Sequence, residues 1–226
     1  MRAWSFSSMS MFENCARMYD LTRNKNLIPY TDTVHTIWGK DVHTAMEQRL
    51  LGPPLLQPHP TDDKDKFAPY YPYADKIAAL PGEKFVEKKF ALTKNLTPTD
   101  FDAQDAWVRG IIDVGAVHGE KALAADWKTG NIRADSDQLK LFAAFLFEHY
   151  KQVNTVTTAY VWLAHSKITK EKYKRSDLPG IWQHFISKAE RLEQAYERNK
   201  WIPKPSGLCG WCGAGQANCE FWFKRR

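Results

Sequence analysis

Residues 107–130 read WVRGIIDVGAVHGEKALAADWKTG. Two apolar runs meet at a polar turn, His118-Gly119-Glu120-Lys121, which predicts a β-hairpin with strands over Trp107–Val117 and Ala122–Trp127. Each run carries one aspartate, Asp113 and Asp126, in an otherwise apolar setting. Side chains alternate along a strand, so Asp126 and Lys128 share one face and Trp127 takes the other. Antiparallel pairing of the two strands can bring Asp113 close to Asp126.

Working outward, GEKFVEKKFALT at 82–93 predicts a preceding strand, with Phe85, Glu87 and Lys89 on one face and Val86, Lys88 and Phe90 on the other. Residues 135–151 predict a strongly apolar helix, capped by Asp135 or Ser136, with Gln138 in its first turns. VTTAYVWLAH at 156–165 is β-branched and aromatic and reads as a buried strand, followed by polar residues. Leu178–Lys200 predicts a long amphipathic helix opened by Pro179. Upstream, 33–51 reads as an amphipathic helix with His43 beside its apolar stripe, ending at Gly52-Pro53-Pro54. Residues 4–22 predict a first helix containing Cys15, capped by Ser7, Ser8 or Ser10, with Glu13 at capping-box spacing from Ser10. The stretch 52–81, rich in Pro, Asp and Tyr, is expected as an irregular insertion-like loop with a short helix near Ala74–Leu80. An antiparallel meander followed by a helical crossover predicts an α/β fold with a small mixed β-sheet flanked by helices.

The chain has 226 residues, 43% hydrophobic and 26% charged, which suits one globular domain over 1–226 with a real core. A net charge of +6 is compatible with a polyanionic partner without requiring one. No run is long and apolar enough to span a membrane, and MRAWSFSSMSMF is no secretory signal, so a cytoplasmic location is expected.

Carboxylates offer hard oxygen ligands, so Asp113 and Asp126, joined by an acid such as Glu87, suit Mg²⁺ or Mn²⁺. Such an ion activates water and stabilises charge developing on a phosphodiester. Lys128 beside it can orient that water. A D-x-K tripeptide is by itself common as a solvated strand end. His43 alone is more often a packed or surface residue, and Glu87 can be a solvated charge.

The full pattern resembles the PD-(D/E)XK nuclease superfamily, in its RecB-like exonuclease branch. The resemblance rests on Gly110-Ile111-Ile112-Asp113, Asp126-Trp127-Lys128-Thr129-Gly130, His43 in GKDVHTAMEQRL, Glu87 in FVEKKF, Gln138 in DQLKLFAAF and the opening SFSSMSMFENCARMYDL. It implies a restriction-endonuclease-like core. It implies that Asp113 and Asp126 bind the divalent ion, with His43, Glu87 and the main-chain carbonyl of Trp127 completing the shell. It implies that Lys128 assists the attacking water and that Gln138 orients the lysine or the phosphate.

Cys209, Cys212 and Cys219 lie within eleven residues, and Cys15 is the remaining cysteine. Four thiolates fit structural zinc or an iron–sulfur cluster, and spacing does not separate the two. One N-terminal cysteine with a C-terminal triplet resembles the iron–sulfur subset of these nucleases. That resemblance implies a 4Fe-4S cluster fastening the tail 201–226 to the first helix.

A lone domain of this size resembles small stand-alone exonucleases of phages and of CRISPR spacer acquisition. For a phage protein the compartment is the host cytoplasm. The expected function is divalent-metal-dependent DNA exonuclease activity on single-stranded or end-containing DNA, in recombination or replication. DNA would be held mainly by its backbone, with Tyr70, Tyr71 and Tyr73 as stacking candidates; no protein partner is implied. The alternatives are a non-catalytic DNA-binding or assembly subunit on a metal-stabilised nuclease fold, and an RNA-directed or structural protein with a zinc ribbon.

Overall fold

The computed structural model describes residues 2–52, 65–134 and 136–223. Expectations placed on Pro53 and Pro54 as a helix end and on Asp135 as a cap lie outside the described residues. The chain divides into two compact units, Asp32–Trp182 and Met1–Thr31 with Gln183–Arg226.

The larger unit is built on five strands: β1 (Glu83–Thr93), β2 (Ala106–His118), β3 (Lys121–Lys128), β4 (Thr155–Trp162) and β5 (Lys167–Lys174). They lie in sequence order in one sheet. All neighbours pair antiparallel except β3 and β4, which pair parallel. A parallel pair needs a crossover. The helix Asp137–His149 supplies it, and its buried side chains run from Leu139 to Phe147. Each fully buried Leu or Phe there contributes about 1.5–3 kcal/mol of transfer free energy. The guanidinium of Arg175 donates to the carbonyls of Phe147, Tyr150 and Val153 at 2.8–3.1 Å, satisfying the helix end that would otherwise be orphaned.

The expected mixed sheet flanked by helices is therefore present and is compatible with a restriction-endonuclease-like core. Both hairpin strands fall within a residue of their expected limits, and Gly119 turns the hairpin at φ +56°. The fifth strand was not foreseen. Its sequence KITKEKYK has little apolar content because it is an edge strand, mostly exposed, where lysines are the usual guard against further pairing.

Two further helices belong to this unit. Val34–Leu51 is capped by Thr33, which exchanges bonds with Thr36 in a capping box. Its Val42 and Met46 pack with Val114, Ala125, Trp127, Ala159 and Val161 on one sheet face. The helix in the insertion spans Tyr71–Ala78, earlier than expected, because Pro72 suits a first turn. Tyr70, Tyr71 and Tyr73 are half-buried against the core cluster, so they serve packing rather than standing free to stack.

The alternation foreseen for β1 does not hold. Phe85 and Phe90 are five residues apart, an odd interval that regular pleating puts on opposite faces, yet their rings are 5.7 Å apart. Glu87 lies between them with φ +46°, in the left-handed region, and there the strand changes face.

In the smaller unit, Phe6–Asn14 forms a helix capped by Ser5, not by Ser7, Ser8 or Ser10. Ser5 has the extended backbone a cap requires and exchanges bonds with Ser8, whereas the other serines are inside the helix. Glu13 makes no cap but pairs with Lys188 and Arg191 at 2.8 Å each. Cys15 is not within a continuous helix: it is extended (φ −164°) and separates Phe6–Asn14 from the short helix Ala16–Tyr19. Trp4 and Phe185 are in ring contact at 5.9 Å, and Trp201 stacks on Tyr19 at 5.7 Å. The long helix Leu178–Glu197 contributes residues 183–197 to this core.

Candidate metal centre

Strands β2 and β3 stay paired as far as Val114 opposite Ala125. Asp113 and Asp126 are the next residues out, where the two strands part. Both are buried, at 7% and 3% exposure. The backbone N–H of Trp127 donates to Asp113 Oδ2 at 2.8 Å, so the splayed end is closed by a carboxylate rather than by a ladder bond.

Glu87 reaches the same place from β1. Val86 pairs with Val114 and Lys88 with Ile112, which sets Glu87 opposite Asp113. His43 comes from the helix Val34–Leu51. Its Nε2 lies 2.8 Å from the carbonyl oxygen of Trp127 and its Nδ1 3.4 Å from Asp113 Oδ2. A carbonyl only accepts, so Nε2 carries the proton, and in the neutral ring Nδ1 presents a lone pair beside Asp113. The Trp127 carbonyl is thus engaged by His43. One ligand atom each from His43, Glu87 and Asp113 lies within 4.8 Å of the others, the one such gathering among the described residues.

On the Asp126 side a second network runs to the crossover helix. Lys128 Nζ sits 2.7 Å from Asp126 Oδ2 and donates to Gln138 Oε1 at 2.9 Å. Gln138 Nε2 donates to Asp126 Oδ1 at 2.7 Å. Asp126 Oδ2 is buried and receives no well-directed hydrogen bond, although the lysine charge is close. Tyr160 was missed by sequence reasoning. Its hydroxyl donates to Gln138 at 3.4 Å and its ring lies 5.0 Å from the Lys128 ammonium. The parallel pairing of β3 with β4 sets Tyr160 beside Asp126, and nothing local in the sequence announces that register.

The electrostatics ask for a cation. Burial, and then the Asp126 carboxylate, push the Asp113 carboxyl well above its usual range; the Trp127 N–H and Lys128 only partly oppose this. Glu87 is pushed up by burial and by the carboxylates of Glu47 and Asp126. Crowded buried carboxylates beside a histidine lone pair are a donor set that fits Mg²⁺ or Mn²⁺.

The cysteines stand elsewhere, in the smaller unit. Cys15, Cys209, Cys212 and Cys219 line one cavity of about 310 Å³, together with Met18, Trp211 and Phe221. The backbone N–H groups of Lys204 and Ser206 point at the sulfurs of Cys15 and Cys209, at 3.5 and 3.3 Å. Zinc held at about 2.3 Å from each sulfur needs thiolates within about 4.6 Å of one another. Among the described residues the four sulfurs are not gathered within 4.8 Å of one another.

A solved structure, the crystal structure of SSO0001, is similar to the chain at 12% identity and a TM-score of 0.48, covering 99% of this chain and 89% of that one. No curated protein matches. The family model of the PD-(D/E)XK nuclease superfamily matches residues 3–217, a span that takes in Asp113, Asp126, Lys128 and three of the four cysteines, Cys15, Cys209 and Cys212. The paired acids and the D-x-K strand end lie inside that match, and the chain belongs to the PD-(D/E)XK nuclease superfamily, whose members cut phosphodiester bonds with divalent metals.

Proposed function

We propose that this chain is a divalent-metal-dependent deoxyribonuclease of the RecB-like exonuclease type, acting on single-stranded or end-containing DNA in recombination or replication. The observation that carries this reading is the convergence of His43, Glu87 and Asp113 beside the Asp126–Lys128–Gln138 network. Residues 1–226 are read as one nuclease domain, because one family model runs through segments of both compact units.

Mg²⁺ or Mn²⁺ would be held by Asp113, Asp126, Glu87 and His43, with the second lone pair of the Trp127 carbonyl in reach of the shell. When bound, the ion supplies Lewis-acid charge for the scissile phosphate and makes a nucleophile available at neutral pH. The chain's own residues do the rest. Trp127 N–H orients Asp113. The Trp127 carbonyl fixes the proton of His43 on Nε2, leaving Nδ1 for the cation. Gln138 holds Lys128 and Asp126 at once, which aims the ammonium at the phosphate and at the attacking water.

The cysteine cavity is assigned a 4Fe-4S cluster held by Cys15, Cys209, Cys212 and Cys219. The four cysteines lining one cavity and the two backbone N–H donors at Cys15 and Cys209, which suit ligating thiolates, support this assignment. Its role is to fasten the C-terminal tail to the segment around Cys15.

The deciding experiment uses anaerobically purified protein, end-labelled single- and double-stranded DNA, and Mg²⁺ or Mn²⁺. Cleavage from ends, abolished by Lys128→Ala with DNA binding retained, is the expected result. Binding without cleavage by the cluster-loaded parent, with either ion, replaces this reading with the non-catalytic subunit.

A further inference from the structure

The sheet face that receives the helix Val34–Leu51 carries a second kind of row toward its open edge. Residues opposed across strands share a face. Lys121 pairs with Thr155 and Thr155 with Lys174; Leu123 pairs with Thr157 and Thr157 with Lys172; Ala125 pairs with Ala159 and Ala159 with Lys170. Ala125 and Ala159 pack against Val42 and Met46, which identifies the face. Lys121, Lys170, Lys172 and Lys174 therefore lie on that same side, and all four are exposed. None of the four ammoniums is in an ion pair among the described residues. Asp177, three residues beyond Lys174, accepts from its backbone N–H instead.

Lys121 belongs to β3, inside the sheet, where guarding an edge does not explain it. The layout of the four lysines is regular. Lys170 to Lys174 spans about 13 Å along β5, and two strand spacings, about 10 Å, separate Lys174 from Lys121. The residues between them are the short, half-buried Thr155 and Thr157, so no long side chain interrupts the face. The Lys170 row adjoins the row of Asp126, Tyr160 and Thr169, on the opposite pleat. The helix on this face is also the one that supplies His43.

We propose that this four-lysine face is a holding surface for the phosphate backbone of the nucleic-acid substrate, outside the point of cleavage. It rests on the nuclease reading for the identity of the polyanion. Nothing in it reads bases: lysines present point charges that position a strand without selecting sequence.

The test is the full-length triple variant Lys170→Gln/Lys172→Gln/Lys174→Gln, with Lys170→Glu/Lys172→Glu/Lys174→Glu as a second variant, both checked against the parent by thermal melting. DNA affinity is read by fluorescence anisotropy across a salt series in metal-free buffer, with separate single-stranded and duplex probes. Hydrolysis of a small activated phosphodiester is read with Mn²⁺. The log–log salt slope is expected to fall by about 2.7 on duplex or about 2.1 on single strands, with affinity at least ten-fold weaker at about 0.1 M salt. The small diester is expected to be hydrolysed at the parental rate. A parental slope and affinity on both DNAs overturn the proposal, as does loss of binding to anionic vesicles with DNA binding intact. A reduced slope in a protein whose parent hydrolyses nothing keeps the surface and removes the nuclease reading instead.

Discussion

Glu87 and Asp113 face each other across β1 and β2 at the point where both strands change face. A Cβ built on Gly110 would meet Phe145, and one on Gly115 would meet Phe85. Phe85 touches Phe90, and Phe90 stacks on Phe145, so Gly110 and Gly115, five residues apart, look into one aromatic group. The left-handed backbone at Glu87 costs on the order of 1–2 kcal/mol for a residue with a side chain. It delivers a carboxylate to the centre that a regular strand would have carried elsewhere.

Glu87→Gln keeps the shape and removes one of several crowded charges. Because burial and neighbouring carboxylates already disfavour its ionised form, the metal-free variant is expected to melt no lower than the parent. Its Mn²⁺ affinity, read by titration calorimetry, is expected to fall at least ten-fold. A parental affinity would remove Glu87 from the shell.

The two glycines test the change of face. Gly115→Ala brings its new methyl within 2.2 Å of the Phe85 ring and 2.5 Å of the Leu123 carbonyl oxygen. Gly110→Ala meets Phe145, which is fully buried, at 2.4 Å. Each is expected to destabilise the protein by about 1–3 kcal/mol in urea unfolding, Gly115→Ala the more because backbone cannot step aside. A neutral Gly115→Ala would mean that β2 keeps a regular alternation.

Gln138 touches both working groups of β3. Removing it in Gln138→Ala deletes charge-assisted bonds of about 1.5–3 kcal/mol in all, so kcat in saturating Mn²⁺ is expected to fall about ten- to a hundred-fold with KM little changed. Gln138→Glu is expected to be slower still, since it sets a carboxylate against Asp126 and captures Lys128. Equal rates for the two variants would argue that Gln138 acts only through packing.

His149 contributes a loss of stability on the acid side, opposed by the raised carboxyls of Asp113 and Glu87. Burial lowers its pKa, with its Nε2 against the Ala91 carbonyl at 3.2 Å and its ring edge-on to Phe90. The unfolded chain binds the proton more readily, so the contribution is fully present above the ordinary histidine pKa of about 6.5 and is lost as pH falls below it toward the lowered folded value. Melting the metal-free protein from about pH 8 to about pH 5 should show that loss, and His149→Gln should flatten it. An identical acid limb in the variant would assign the effect to other groups.

Cys15 is the sole thiol of the cavity that lies far from the other three in sequence. Cys15→Ser is expected to lower iron and sulfide content and to expose the tail to limited proteolysis between residues 201 and 223. Undiminished iron with full sulfide would leave Cys15 outside the cluster; stoichiometric zinc in the parent would replace the cluster by a zinc site.

Much of this was legible in the residues. The hairpin, the shared face of Asp126 and Lys128, the helix bearing His43 and the crossover helix bearing Gln138 follow from alternation, turn chemistry and helical periodicity, which neighbouring residues determine among themselves. The edge strand β5 escaped because exposure removes the apolar signal, and the reversal at Glu87 because a left-handed residue leaves no mark in composition. What tertiary structure alone decided are the distances between elements: His43 on the Trp127 carbonyl, Tyr160 beside Gln138, Glu87 opposite Asp113, and four cysteines around one cavity. Local sterics determine which way a side chain leaves its own strand or helix. Which groups then meet depends on how those elements pack, and that is settled by contacts far apart in the chain.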